Sequence, residues 1–75
     1  MTHRITAAVD RLRAALVTHG IRPSKARAGV CVLLGVHPTT LSRWTTGVMV
    51  PDSRRGAEAE SAASFMELVN TLAGR

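Results

Sequence analysis

The sequence predicts an all-α fold: one domain over residues 1–75, a small bundle of four or five helices, two of them joined by a tight turn. Three observations predict it. Apolar residues recur at intervals of three and four through most of the chain, the spacing that lines up one side of a helix. Gly20, Gly35 and Gly47 stand just past these periodic stretches, where glycine ends a helix at low steric cost. The run Val48-Met49-Val50-Pro51 is too short and isolated to build a sheet.

Each helix follows from local pattern. Over residues 3–18, Ile5, Val9, Leu12 and Leu16 form a stripe completed by Ala8 and Ala15, while Arg4, Arg11 and Arg13 fall away from it. Thr2 is the expected N-cap and Gly20 the stop. Pro23 biases Arg22 away from helix, and Ser24 is the expected cap of a second helix over about 25–34, with Val30, Leu33 and Leu34 inward. Gly29 costs that helix roughly 1 kcal/mol relative to Ala, which a close approach of another helix would explain. Cys31, a small residue four before Gly35, suits a close crossing of two helices. Val36 follows the glycine as a buried plug. Pro38 suits the first turn of a third helix running over 38–46, where its missing N–H costs nothing. Leu41 and Trp44, three apart, anchor that helix, and its outer face carries Thr39, Ser42, Arg43 and Thr46, all able to donate hydrogen bonds. Val48 and Val50 are expected to tuck under the helices. A last helix over about 55–73 is expected to bury Ala62, Phe65, Leu68, Val69 and Leu72, with Met66 on the flank and Glu58, Glu60, Glu67 and Asn70 outward.

Composition narrows the function. The 75 residues carry a net charge of +5, unevenly placed. Residues 1–55 hold nine Lys/Arg against Asp10 and Asp52, a balance of +7, and residues 56–75 hold Arg75 against three glutamates, a balance of −2. A basic body with an acidic tail suits a polyanion-binding module followed by a helix with a separate task. One cysteine forms no internal disulfide and suits a reducing cytoplasm. No apolar run is long enough to span a bilayer, so no membrane partner is expected. His3, His19 and His37 lack chelating spacing, and no acid/base pair, nucleophile elbow or phosphate loop is present. No metal, cofactor, small-molecule ligand or catalytic activity is expected.

The motif running from Cys31 through Gly35, Val36, Thr40-Leu41-Ser42-Arg43-Trp44 and Gly47 to Pro51 resembles the Cro/repressor helix-turn-helix family of phage and bacterial regulators. The resemblance implies a helix-turn-helix over about 24–46, whose second helix enters the major groove of a double-stranded DNA operator. It implies base contacts from Thr39, Ser42 and Arg43, with Arg43 gripping guanine O6 and N7 and the Thr39 methyl on a thymine methyl. Lys25, Arg27, His37 and Thr46 would contact the DNA backbone and fix register. It further implies repression by occlusion, as in Cro. A homodimer, formed through the C-terminal helix or on DNA, would require an inverted-repeat site. His37 departs from the usual Ser or Thr cap, so capping there is expected to be weaker or done differently. Arg27 departs from the usual Gln. Two alternatives stand beside this one. An excisionase, or recombination directionality factor, shares the motif but usually continues into a basic winged hairpin. A small protein-binding module would instead use the apolar stripe of the C-terminal helix.

Overall fold

A computed structural model describes residues 4–74, and within them the chain forms four helices and no strand. The all-α bundle of the sequence reading is therefore present, in its four-helix form. The expected cap Thr2, and His3, lie outside the described residues. Helix α1 (Arg4–His19) buries Ile5, Ala8, Val9, Leu12, Ala15 and Leu16, the predicted stripe.

Helix α2 (Pro23–Leu34) starts earlier than expected. Ser24 is not its cap. Pro23 occupies the first helical position and pushes Arg22 into extended backbone at ψ 140°, so Arg22 is the N-cap residue and contributes no side-chain hydrogen bond. Ala26, Val30, Cys31 and Leu34 are buried. Leu33 is half exposed, against expectation. It is the neighbouring Leu34 that turns inward at this end of α2. A methyl added at Gly29 would sit 3.0 Å from the Leu16 Cδ1 of α1, so the glycine marks a close approach of the two helices.

Gly35 ends α2 in the left-handed region, φ 66° and ψ 35°. The Gly35 N–H donates to the Val32 carbonyl at 3.2 Å and the Val36 N–H to the Cys31 carbonyl at 3.0 Å, the paired bonds of a Schellman turn. Val36 packs on the core beside it. Helix α3 (Pro38–Thr45) follows, held by Leu41 and Trp44, both buried. The loop after it exposes Val48 and Val50, which do not tuck under the helices.

Helix α4 (Ser53–Leu72) begins where the Asp52 side chain accepts from the Arg55 N–H at 2.9 Å. It runs parallel to α1: Arg4 pairs with Glu60, Arg11 with Glu67 and Ser64, and the Asn70 amide donates to the Ala15 carbonyl at 2.9 Å. These contacts fix which side of α4 meets the core, and it is not the predicted one. Ala59 and Ala63 are fully buried, with Ala62 and Met66 packed against the core margin. Phe65 is 64% exposed and Leu72 79%, with Leu68 also exposed. Both sides of α4 are apolar, and the side of smallest residues lets α1 approach closely. Asn70 is buried rather than outward, because its Nδ2 reaches Ala15 and its Oδ1 faces His19 Nδ1 at 3.1 Å. With Nδ2 committed to a carbonyl, the oxygen faces the imidazole, so His19 Nδ1 carries the proton.

The hydrogen bond from Arg4 holds the Glu60 carboxyl below the usual carboxylate range, against a smaller opposing effect of desolvation. Arg11 does the same for Glu67. Arg55 donates to the Leu34 carbonyl at 3.1 Å, tying the start of α4 to the end of α2.

Candidate nucleic-acid interface

Helices α2 and α3 are linked through Arg27, and the residues singled out from sequence fall on these two helices and the turns beside them. On α3, Thr39, Arg43 and Thr46 are exposed and Ser42 is half-buried. Leu41 and Trp44 point the other way into the core, so the helix keeps its donor-bearing side outward. Lys25 and Arg27, on the first turns of α2, are exposed. His37 stands at the turn.

The His37 ring answers the capping question. Its Nδ1 accepts from the Thr39 N–H at 3.1 Å, so the imidazole does what a Ser or Thr hydroxyl would do at the start of α3. Accepting requires a bare Nδ1, which leaves Nε2 as the proton-bearing, donating nitrogen. Thr46 closes the far end. Its hydroxyl donates to the Ser42 carbonyl at 2.8 Å and its N–H to the same carbonyl at 3.0 Å. That hydroxyl proton is therefore committed within the helix.

Arg27 bridges the two helices. Its Nη2 donates to the Ser42 hydroxyl oxygen and to the Pro38 carbonyl at 3.3 Å, while its other N–H groups make no hydrogen bond among the described residues. Arg13 was not singled out from sequence. A cleft of about 140 Å³ between α1, α2 and α3 is lined by Asp10, Arg13, Arg27, Val30, Leu41 and Thr45, which brings Arg13 to the edge of the same surface. Arg22, the N-cap residue of α2, is exposed.

Charge is sorted across the molecule. All three glutamates engage arginines of α1 and α4: Glu60 with Arg4, Glu67 with Arg11, and Glu58 with Arg54 and Arg55. Arg13, Arg22, Lys25 and Arg43 have no ion pair among the described residues, and Arg27 meets only neutral oxygens. The uncompensated positive charge thus surrounds α2 and α3. The basic body and acidic tail of the sequence signal this sorting in outline, and the structure adds the pairing of Arg4 with Glu60 and of Arg11 with Glu67.

Among the described residues no group of three His, Cys, Asp or Glu is placed to hold a metal ion, and no helix is long and apolar enough to cross a membrane. Cys31 is buried and packs as a small apolar residue. A face of this kind, in which donors and cations without ion pairs outnumber the one carboxylate at its cleft, Asp10, has the chemistry to bind a polyanion. Set against family models, curated proteins and solved structures, the chain shows no match to any of them.

Proposed function

We propose that the chain is a sequence-specific double-stranded DNA-binding regulator of the Cro-like repressor kind, with α3 lying in the major groove. The observation that carries the reading is the sorting of charge: cations without an ion pair among the described residues lie on or beside α2 and α3, while Glu60 and Glu67 are taken up by α1 arginines and Glu58 by arginines of α4. In this reading Thr39, Ser42 and Arg43 would meet base edges, Arg43 through a bidentate contact to guanine. Lys25, Arg27 and the His37 Nε2–H would meet phosphates, joined by Arg13 and Arg22. Thr46 contributes less than its position suggests, since its hydroxyl already caps α3. Binding would occlude an operator, and two copies on an inverted repeat could meet through the exposed Phe65–Leu68–Leu72 ridge of α4.

The test is selection of bound sequences from a random duplex pool. Wild type should enrich a short motif, and Arg43→Ala should lose roughly 1–3 kcal/mol and relax one base position. Unenriched pools from both proteins would end the sequence-specific reading. The exposed α4 ridge favours one second reading, a protein-binding module. Salt separates the two: DNA binding through three or four phosphates gives a log–log slope of about −3 to −4, and a protein partner gives a shallow one. The directionality-factor alternative has less support, because residues 53–72, where a winged hairpin would lie, are helical.

A further inference from the structure

We infer that the cleft between α1, α2 and α3 binds a small zwitterion, an aliphatic α-amino acid, with its carboxylate on Arg13 and Arg27 and its ammonium on Asp10. Such binding is a property of the protein without DNA and is independent of the reading above. The sequence leads to no expectation of a small-molecule ligand, because the cleft exists only once three helices meet.

Three features of the cleft converge on that class of ligand. The first is charge. Asp10 and Arg13 stand three apart on α1, and Arg27 lines the same cleft from α2. None of the three forms an ion pair among the described residues, whereas every glutamate of the chain engages an arginine. Arg27 commits only Nη2 within the protein, to the Ser42 hydroxyl oxygen and the Pro38 carbonyl, which leaves the donors on Nε and Nη1 for a carboxylate. A molecule that carries both signs of charge complements a cleft that presents both. The second feature is the wall. Val9, Val30 and Leu41 line the cleft and are buried in the core, which suits an aliphatic side chain. The Thr45 hydroxyl, also in the lining, already donates to the Leu41 carbonyl at 3.1 Å, so the charged groups supply the main polar contacts. The third feature is size. At about 140 Å³ the cleft is close to the cavity of about 150 Å³ that takes benzene, and well short of the roughly 300 Å³ at which drug-sized sites begin. An aliphatic amino acid, with about six to nine heavy atoms, is of that order.

The experiment titrates L-valine, with L-alanine and L-leucine beside it, into the nitrogen-15-labelled protein and follows the amide shifts. Isovalerate, which is valine without the ammonium, and isobutylamine, which is valine without the carboxylate, are the controls. The amino acid should give saturable shifts in the millimolar range, gathered on the cleft residues of α1, α2 and α3. Both controls should bind about tenfold more weakly, the effect of losing one charged hydrogen bond. Asp10→Asn should weaken valine about tenfold and leave isovalerate unchanged. Arg13→Gln should weaken valine and isovalerate and leave isobutylamine unchanged. Asp10 and Arg13 are exposed, so each replacement leaves the core intact, and a melting curve on each variant verifies this. Three results overturn the inference. One is flat shifts for all three amino acids up to about 100 mM, a hundredfold above a millimolar dissociation constant. Another is isovalerate bound as tightly as valine, the mark of a plain anion site. The third is a valine affinity that survives Asp10→Asn. Duplex selection is scored separately, so unenriched pools would overturn the DNA-binding reading and leave this site standing.

Discussion

Replacing Gly35 by alanine tests the elbow on which the placement of α3 depends. The residue sits at φ 66°, and a methyl built there meets nothing within 4 Å. No packing or clash contribution therefore enters, and the cost is conformational. A side chain in the left-handed region costs about 1–2 kcal/mol. The less flexible unfolded chain returns about 0.4–1 kcal/mol of that. The net expectation is a destabilisation of about 1 kcal/mol, which in a domain of this size lowers the melting temperature by roughly 4–8 °C. Gly35→Asn should lose less, because asparagine tolerates this region better than alanine. Thermal and urea unfolding followed by circular dichroism measure both. A loss above about 3 kcal/mol would mean that the added carbon collides with something, and no loss at all would mean that residue 35 does not have positive φ. Either result refutes the reasoning.

Two further outcomes follow from α4. Ala63→Leu should destabilise by about 1–3 kcal/mol, because the added carbons have no room between α1 and α4, whereas Phe65→Ala on the opposite side should stay within about 0.5 kcal/mol of wild type; equal urea midpoints for the two would contradict the observed orientation of the helix. The carboxyls of Glu60 and Glu67 hold pKa values in the fold below their ordinary 4.5. The unfolded chain therefore takes up their protons first as pH falls, so the stability they contribute is complete above that value and is lost as pH drops through the lowered folded values. Urea unfolding between about pH 5 and pH 3 should show this loss, and Arg4→Gln/Arg11→Gln should flatten it; an unchanged pH profile in that variant would show that the pairs contribute nothing.

The parts of the fold that were legible in the sequence are those specified by neighbours in the chain. The α1 stripe, the glycine elbow, Pro38 at the first turn of α3 and the Leu41–Trp44 anchor all depend on residues within a few positions of one another. Pro23 is a local signal too, and it outweighed Ser24 because a fixed φ settles the start of a helix more firmly than a hydroxyl does. Helix α4 was misread because two of its sides are apolar. Nothing local distinguishes Phe65, Leu68 and Leu72 from Ala59, Ala63 and Met66, and the choice is made by partners on α1 more than fifty residues away. Asn70 follows the same logic, a polar residue turned inward by an acceptor and an imidazole that only the folded chain brings within reach. The outward set of Thr39, Ser42 and Arg43 was legible from helical period alone. The contacts of their hydroxyls were not, because Ser42 accepts from Arg27 on another helix and Thr46 donates to a backbone carbonyl.

The shared direction of α1 and α4 has an electrical consequence. In an up-and-down arrangement the peptide dipoles of neighbouring helices oppose one another, but here those of the 16- and 20-residue helices add. Each contributes about half an elementary charge at its ends, so the long axis of the molecule carries roughly one positive unit near Arg4 and Asp52 and one negative unit near His19 and Asn70. Asp52 sits at the pole that favours an anion and His19 at the pole that favours a cation. A charged body drawn to this protein experiences a torque as well as a pull, and is oriented before it touches any side chain.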